Sequence, residues 1–213
     1  MKNPAVLIEQ LSVTLGGNQI FDEANFKADY GKVTGLVGPN GSGKSVLFKI
    51  ISGFVRGTGK NVIVNDEQLL RSTRFPPNVG SLIEEPYFIA NLSGLDNLLL
   101  LASIKNLITE REIVAYLQKF GLPTDRQAVK TYSLGMKKKL AIIQAIMEQQ
   151  TVVILDEPMN ALDEHSAALT RQVIQDLAAV EHRAVLLTSH QSDDIKSLCQ
   201  EVFEIQERRI IRQ

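Results

Sequence analysis

Residues 38–45 read GPNGSGKS, and this stretch decides the fold. Its glycines and its Lys-Ser pair have the spacing Gly-x-x-x-x-Gly-Lys-Ser of a phosphate-binding loop. The apolar run KVTGLVG at 32–38 precedes the loop as a predicted strand, and SVLFKIIS at 45–52 follows it as a predicted helix. Glycines let the backbone curl so that successive N–H groups point at phosphate oxygens, and the helix N-terminus adds its dipole. The stretch therefore predicts an α/β nucleotide-binding domain.

The residues of this loop divide the work of holding a nucleotide. Lys44 is placed to reach the β- and γ-phosphates, and the Ser45 hydroxyl is placed to ligate Mg²⁺. The loop backbone surrounds the phosphates. The residues predicted to bind the nucleotide here are Gly38, Asn40, Gly41, Ser42, Gly43, Lys44, Ser45 and Val46.

A second apolar strand ends in two carboxylates. Residues 151–158 read TVVILDEP, so Asp156 and Glu157 stand at the carboxyl end of the predicted strand. Asp156 is suited to hold Mg²⁺ indirectly, through a hydrogen bond to a group that ligates the metal or through a bound water. Glu157 can polarise a water for attack on the γ-phosphate. A strand followed by an acidic turn is also a common structural feature, but together with the phosphate loop it predicts a site of nucleotide hydrolysis.

The order of the predicted elements indicates an α/β core with helices in its middle. Continuous apolar runs such as VVILD and AVLLT predict parallel strands that are buried on both faces. Ser93 and Thr109 each stand three residues before an acidic residue, which is the spacing of a capping box at the start of a helix. We expect a core over 1–83 and 146–213, with a helical segment over 84–145.

Composition limits the class of partner. The 213 residues carry a formal net charge of −1, which gives no support for a nucleic-acid partner or an anionic membrane surface. The single cysteine, Cys199, excludes an internal disulfide and fits a reducing cytosol. The N-terminal residues lack the apolar region of a signal peptide, and the run LLLLASI at 98–104 is far shorter than the ~20 residues of a membrane span. We therefore expect a soluble chain. If it works at a membrane, another subunit must hold it there.

The stretch YSLGMKKKL at 132–140 predicts a second anion site. Ser133 stands at the N-cap of a predicted helix and Gly135 in its first turn, so free N–H groups, a hydroxyl and the helix dipole coincide. One chain does not need two γ-phosphate sites for one nucleotide, whereas two chains arranged head to tail would use both. The lysines at 137–139 are interpreted as a solvated helix face, with a contribution to the positive field around the phosphates as the alternative.

Together these motifs resemble those of the ATP-binding-cassette (ABC) ATPase family over essentially the whole chain. GPNGSGKS resembles its Walker A motif, VVILDEP its Walker B motif, and YSLGM its signature motif, whose commonest form is LSGGQ. ALD at 161–163 resembles the D-loop, and LLTSH at 186–190 resembles the segment that carries the switch histidine. The order and the spacing of the five motifs also match.

The resemblance implies a fold and its ligands. The fold would be that of a phosphate-loop NTPase, with a RecA-like parallel sheet core, an antiparallel β subdomain, and an inserted α-helical subdomain that carries the signature motif. Residues 1–213 would form a single ABC ATPase domain. ATP and Mg²⁺ would be the ligands.

The resemblance also implies roles for residues outside the phosphate loop. Ser133 and Gly135 would act in trans, on the nucleotide held by a second cassette. Asp163 would bind nucleotide from the D-loop. His190 would contact the γ-phosphate and the region of Glu157, so that these two residues would be the catalytic pair.

Three features depart from the family pattern. The signature motif has Leu134 and Met136 at positions usually held by glycine and glutamine, and SLGMK resembles the variant of ATPases that serve bacterial peptide-antibiotic and lantibiotic export or immunity. Glu84 stands where the family has a glutamine, and its carboxylate would still ligate Mg²⁺. Leu15 stands where an aromatic usually stacks on adenine. It offers no π face, so we expect weaker discrimination of ATP from other nucleoside triphosphates.

The resemblance favours one function and leaves alternatives. The favoured interpretation is the ATP-hydrolysing subunit of a bacterial ABC transporter, and the resemblance of the SLGMK variant implies an exporter of hydrophobic peptides or drugs. A separate polytopic membrane permease would hold it at the inner face of the cell membrane, beside a second cassette. The alternatives are an ABC ATPase that acts on a ribosome or on DNA, and a regulatory cassette without transport. The first of these fits poorly with one cassette and no basic surplus, and the second fits poorly with Glu157 and His190 present.

Overall fold

Strands and helices alternate along most of the chain, in a computed structural model that describes residues 3–70 and 75–213. The described strands are β1 (Val6–Leu15), β2 (Asn18–Ala28), β3 (Val33–Val37), β4 (Asn61–Val64), β5 (Glu67–Gln68), β6 (Val79–Leu82), β7 (Val152–Asp156), β8 (Ala184–Thr188), β9 (Glu201–Gln206) and β10 (Arg209–Arg212). The described helices are α1 (Lys44–Ile51), α2 (Gly94–Lys105), α3 (Glu110–Lys119), α4 (Leu134–Ile146), α5 (Glu164–Ala179) and α6 (Ser192–Leu198). A short 3-10 turn covers Val129–Thr131.

A six-stranded sheet forms the centre of the fold. Its order is β10-β9-β3-β8-β7-β6, and its strands are parallel except for β10, which runs antiparallel to β9. All five residues of β8 are buried, as are the first four of β7, because helices cover both faces of this part of the sheet. The prediction of parallel strands from continuous apolar runs is therefore confirmed. The carboxyl ends of β3, β8 and β7 lie side by side, which is where open α/β sheets bind ligands.

A smaller antiparallel sheet covers α1 from the other side. Its order is β2-β1-β4-β5, and the turn between β1 and β2 is Gly16-Gly17, with both residues at positive φ, as a two-residue hairpin turn requires. Leu11 and Phe21 of this sheet share one buried core with Leu47 and Phe48 of α1. The first turns of α1 are thereby held between the two sheets, and the loop before α1 is fixed with them.

The helices between β6 and β7 are capped as the sequence predicts. The Thr109 hydroxyl accepts from the Glu112 N–H at 3.4 Å, and the Thr109 N–H donates to Oε2 of Glu112 at 2.8 Å, which completes a capping box at α3. Ser93 caps α2 by accepting from the Asp96 N–H at 3.0 Å, but its second bond is between the two side chains. These caps fix where α2 and α3 begin.

The division of the chain into a core and a helical segment stays a proposal. Helix α4 packs on α3 and also against β6 and β7, so it touches both proposed parts. The proposed boundaries at 83/84 and 145/146 fall close to the ends of β6 and α4. Residues 1–2 and 71–74 of the first range lie outside the described residues. Among the described residues, no helix has the length and apolar character to cross a membrane.

Candidate functional site

The phosphate loop takes the conformation that its glycines predict. It connects β3 to α1, and Gly43 has a φ of 111°, in the left-handed region. A Cβ at Gly43 would lie 2.9 Å from Cγ2 of Ile20 and 3.0 Å from Cζ of Phe21. A larger residue would therefore have to push against β2, and the loop would lose its curl.

Lys44 lies back over the loop that it follows. Its Nζ donates to the carbonyl oxygens of Gly38 at 2.8 Å and Pro39 at 3.1 Å. These are neutral acceptors, and a charged phosphate oxygen attracts the ammonium more strongly than a carbonyl dipole does. The ammonium is thus held where a phosphate can replace the carbonyls, so the loop fits a nucleotide.

The Mg²⁺ ligands predicted on α1 and β7 lie in direct contact. The Ser45 hydroxyl donates to Oδ2 of Asp156 at 2.8 Å. A hydroxyl beside a carboxylate supplies the oxygen donors that Mg²⁺ prefers. In the described part of the chain, no group of three or more His, Cys, Asp or Glu side chains could hold a metal by itself. Phosphate and water oxygens would have to complete the shell, so the residues fit a metal that binds together with a nucleotide.

Glu157 sits at the carboxyl end of β7 in a strained backbone conformation. Its φ is 50°, and its N–H donates to the Thr188 hydroxyl at 2.9 Å. Its Oε2 accepts from the backbone N–H of His190 at 3.1 Å. Its Oε1 is buried and makes no hydrogen bond within the described residues, although Nε2 of His190 lies 3.4 Å away. A buried carboxylate oxygen without a donor is a site for a water.

A cavity of about 490 Å³ joins these groups at the carboxyl ends of the parallel strands. The predicted residues that line it are Asn40, Gly41, Gly43, Lys44, Ser45, Val46, Glu84, Asp156, Glu157 and His190. The lining also includes Ile20, Glu85, Lys138 and Asn160, which the motifs did not identify. A larger cavity of about 720 Å³ is lined by residues such as Thr151 and Arg183, at the opposite ends of β7 and β8, and contains none of the predicted site residues.

The structure places Ile20, and not Leu15, in the lining of the cavity. Leu15 ends β1 and stands opposite Asn18 across the hairpin, outside the described lining of the cavity. Ile20, two residues into β2, lies in the lining instead. Ile20 also packs beside the phosphate loop at Gly43. An aliphatic side chain of β2 thus enters the cavity beside the phosphate loop, and the role of Leu15 as a base contact stays a prediction.

The cavity of this chain is not lined by the three residues predicted from the signature motif and the D-loop, nor by Gly38 and Ser42 of the phosphate loop. The Ser133 hydroxyl accepts from the Met136 N–H at 3.2 Å and caps α4. A Cβ at Gly135 would lie 2.8 Å from the carbonyl oxygen of Ala161. Asp163 caps α5 by accepting from the Ser166 N–H at 2.8 Å, and this backbone bond holds the pKa of Asp163 below its usual value. The signature motif and the D-loop are thus adjacent to each other.

Glu84 lines the cavity but is paired with a lysine. Nζ of Lys49 donates to Oε1 of Glu84 at 2.5 Å, and the Glu84 side chain is 61% exposed. Glu84 makes no hydrogen bond to Ser45 or Asp156 among the described contacts. Exposed pairs of this kind contribute about 0–1 kcal/mol, so the lysine is a weak competitor for the carboxylate. The role of Glu84 as a Mg²⁺ ligand stays a prediction.

The interpretation of the three lysines as a solvated face is wrong for Lys138. Its Nζ donates to the carbonyl oxygen of Asp156 at 3.2 Å, and the side chain lies in the lining of the cavity. Burial lowers the pKa of the Lys138 ammonium, while the carboxylates of Asp156, Glu157 and Glu85 oppose that shift. Consecutive helix residues point about 100° apart, so three lysines in a row cannot share one face. This angular spacing was the signal in the sequence that could have shown that the three lysines point in different directions.

The fold and this site together define the class of protein. A phosphate loop follows β3, the acidic pair follows β7, and β8 lies between them in the sheet, as in phosphate-loop NTPases with a RecA-like core. Residues 21–160 match the sequence model of the family described as ABC transporter. The chain therefore belongs to the ABC transporter family, and it is an ATP-binding ATPase of that family. The resemblance noted in the sequence is confirmed.

Relatives and solved structures agree with this assignment. The uncharacterized ABC transporter ATP-binding protein YdbJ of Bacillus subtilis (strain 168) is 35% identical over 99% of this chain and 69% of that protein. The lantibiotic transport ATP-binding protein SrtF of Streptococcus pyogenes is 34% identical over 96% of this chain and 88% of that protein. A solved ATP-binding subunit of an ABC transporter superposes with a TM-score of 0.87 at 22% identity, over 97% of this chain and 88% of that one, and thus shares the fold.

Proposed function

We propose that this chain is the ATP-hydrolysing subunit of a bacterial ABC transporter that exports hydrophobic peptides or drugs. The observation that carries the hydrolytic part is the buried, unpaired Oε1 of Glu157 beside His190, in one cavity with Lys44 and Ser45. The choice of cargo is supported by the SLGMK signature and by similarity to a protein named for lantibiotic transport.

The chain binds the triphosphate through its loop and Lys44. The ammonium exchanges the carbonyl oxygens of Gly38 and Pro39 for β- and γ-phosphate oxygens, which are charged acceptors. Ser45 and Asp156, with Glu84, would hold Mg²⁺, which supplies positive charge against the phosphate oxygens. The helix N-terminus of α1 adds its dipole to the same region.

Glu157 then acts as the general base. Oε1 accepts a proton from a water held beside it, while the oxygen of that water bonds to the γ-phosphorus. The bond from phosphorus to the bridging oxygen breaks, which yields ADP and phosphate. His190 is placed within 3.4 Å of the same carboxylate, and we assign it to hold the γ-phosphate and Glu157 in one geometry.

A second cassette would complete the site. Ser133, Gly135 and Asp163 lie outside the cavity of their own chain, which supports their use on the nucleotide of a partner. The N-terminus of α4 carries free N–H groups and the Ser133 hydroxyl, and both suit a γ-phosphate approached from outside. A head-to-tail dimer, of two copies or of this chain with another cassette, is the arrangement that uses both anion sites.

The segment 84–88 is the proposed contact with a membrane permease. Tyr87 is 94% exposed, and the lining of a cleft of about 340 Å³ beside it combines apolar residues, among them Phe54 and Pro86, with the charged residues Lys49, Glu84 and Glu85. Exposed aromatic side chains beside a cleft are typical of protein interfaces. A permease that occupied this cleft would hold the chain on the inner face of the cell membrane.

Replacement of Glu157 by glutamine tests the hydrolytic role. The variant keeps the shape of the side chain but cannot accept the proton, so we expect ATP binding within twofold of the parent and a loss of kcat of at least about 100-fold. The proposed sandwich also predicts that the variant accumulates as an ATP-bound dimer, measured by light scattering after size exclusion. Turnover at the parent rate contradicts the base, and a monomer at saturating ATP contradicts the sandwich.

Co-purification tests the transport role. The tagged chain is purified from native membranes in mild detergent, beside the same chain with Tyr87→Ser as the matched control. A stoichiometric polytopic membrane protein, depleted by the Tyr87 change, is the expected result. Ribosomes or nucleic acid instead would support the ribosome- or DNA-acting alternative and contradict the transporter.

A further inference from the structure

We propose that Lys138 is a positioning residue for catalysis, which holds Glu157 in place from the signature helix of the same chain. This inference rests on the proposed role of Glu157 as the general base. Lys138 stands in the first half of α4, five residues after Ser133, and reaches across to the end of β7.

The peptide unit between Asp156 and Glu157 is held from two sides. Its carbonyl oxygen, that of Asp156, accepts from Nζ of Lys138 at 3.2 Å. Its N–H, that of Glu157, donates to the Thr188 hydroxyl at 2.9 Å. One bond comes from a helix and the other from the neighbouring strand, so together they fix the plane of this peptide.

The conformation of Glu157 is one that needs such support. A φ of 50° is uncommon for a residue other than glycine, and such residues persist only where the surroundings determine them. Rotation of this peptide would swing the Glu157 carboxylate away from His190, whose backbone N–H donates to Oε2 of Glu157 at 3.1 Å. A displacement of about 1 Å at a catalytic group can lower a rate by about 100-fold.

The surroundings of Lys138 hold its ammonium in this position. The carboxylates of Glu85, Asp156 and Glu157 line the same cavity as Lys138, and their charge opposes the lowering of its pKa by burial. Lys105, in the last turn of α2, is exposed and lies outside the lining of this cavity. Lys105 is therefore the control, since it has the same chemistry on a helix and does not contact the proposed sites.

Four variants decide the role of Lys138. Lys138→Met removes the donor and keeps most of the side-chain volume, Lys138→Arg keeps a donor of similar reach, Lys105→Met is the control, and Glu157→Gln removes the base. The chain is used in the form that hydrolyses ATP, with its co-purified partners where these are needed. For each variant kcat and KM for ATP are measured, together with the urea midpoint of unfolding.

A positioning role predicts a fall in kcat with little change in KM. For Lys138→Met we expect kcat to fall by about tenfold or more, KM to stay within about twofold, and Lys138→Arg to recover most of the rate. Lys105→Met should keep the parent values. In a double variant with Glu157→Gln, Lys138→Met should cause no further loss, because two residues that act as a unit are not additive.

Other outcomes overturn the proposal and separate it from the proposed base. A rise in KM with unchanged kcat would make Lys138 a phosphate-binding residue. Parent kcat in Lys138→Met with an inactive Glu157→Gln would remove the role of Lys138 alone, whereas an active Glu157→Gln would remove both. If Lys138→Met fails to fold, Lys138→Gln answers the same question, because its amide is too short to replace the ammonium at the Asp156 carbonyl.

Discussion

The Thr188 hydroxyl donates a 2.6 Å hydrogen bond to Oδ1 of Asp156. The two residues are paired in register at the carboxyl ends of the neighbouring parallel strands β8 and β7. The same hydroxyl accepts from the Glu157 N–H. One buried hydroxyl thus orients the carboxylate assigned to Mg²⁺ and the backbone of the residue assigned as base, and it leaves Oδ2 of Asp156 for Ser45.

Replacing Thr188 with valine should reduce both stability and turnover. The change is nearly isosteric, but it leaves a buried N–H and a carboxylate oxygen without their partner, so we expect unfolding to become easier by about 1–3 kcal/mol. We also expect kcat to fall more than KM changes, because both acidic residues lose a fixed neighbour. Urea unfolding and steady-state kinetics measure the two effects.

The matched control is Thr34→Val in the same sheet. Thr34 is 1% exposed, and its hydroxyl has no hydrogen-bond partner in the described part of the chain. Removing a buried hydroxyl that has no partner breaks no hydrogen bond, so the free energy of unfolding of this variant should equal or exceed that of the parent. Equal losses at Thr34 and Thr188 would mean that the hydroxyl of Thr188 contributes nothing beyond its volume.

Lys44→Ala should weaken nucleotide binding without weakening the fold. The Lys44 ammonium bonds to loop carbonyls and to no core residue, so the free energy of unfolding should stay within about 0.5 kcal/mol of the parent. The triphosphate loses a fixed positive partner, and we expect its Kd to rise by at least about tenfold. Lys60→Ala is the control in the same titration, because Lys60 is exposed and lies outside the lining of the cavity. An unchanged Kd for Lys44→Ala would contradict the assigned phosphate contact.

The aliphatic lining on the β1–β2 side predicts weak selection of the base. Leu15 and Ile20 can pack on a purine but offer no π face. We expect turnover of GTP within about 100-fold of that of ATP, since discrimination beyond that needs about 2–3 kcal/mol from another source. Ile20→Ala should raise KM for both nucleotides more than Leu15→Ala does, because Ile20 lines the cavity. The opposite ranking would restore Leu15 as the contact.

The features that the sequence predicted well are those that depend on local spacing. The phosphate loop, the capping box at Thr109 and the buried strands β7 and β8 each follow from residues within one or two turns or one strand. The misread features depend on which distant element a side chain meets. Lys138 could be placed beside Asp156 only once α4 was packed across the end of β7. Helix α6 has three buried residues in seven, and one of them is Asp194, so it carried no clear apolar period.

Gly80 on β6 lies directly against the backbone of α4. A Cβ there would lie 1.8 Å from the carbonyl oxygen of Ala145, which is backbone and cannot rotate away. Gly80→Ala should therefore displace α4 from the sheet and reduce the free energy of unfolding by about 3 kcal/mol, at the upper end for overpacked sites. Ser81→Ala on the same strand adds no atoms and should cost far less. Similar urea midpoints for the two variants would contradict this packing.

Cys199 should be nearly inert while the chain is folded. Its thiol packs against Gly35 of β3, and burial, with a contribution from Asp194, raises its pKa to about 12. The folded state thus favours the neutral thiol, so its contribution to stability is present below pH 9 and is lost as the pH rises towards 12.

At pH 8.5 we expect iodoacetamide to react with Cys199 of the folded chain at least about 100-fold more slowly than with the same chain in urea, because only the thiolate reacts. As Cys199 is the single cysteine, mass spectrometry reads the reaction directly. Equal rates in the two states would show that the sulfur is not shielded by β3 and α6.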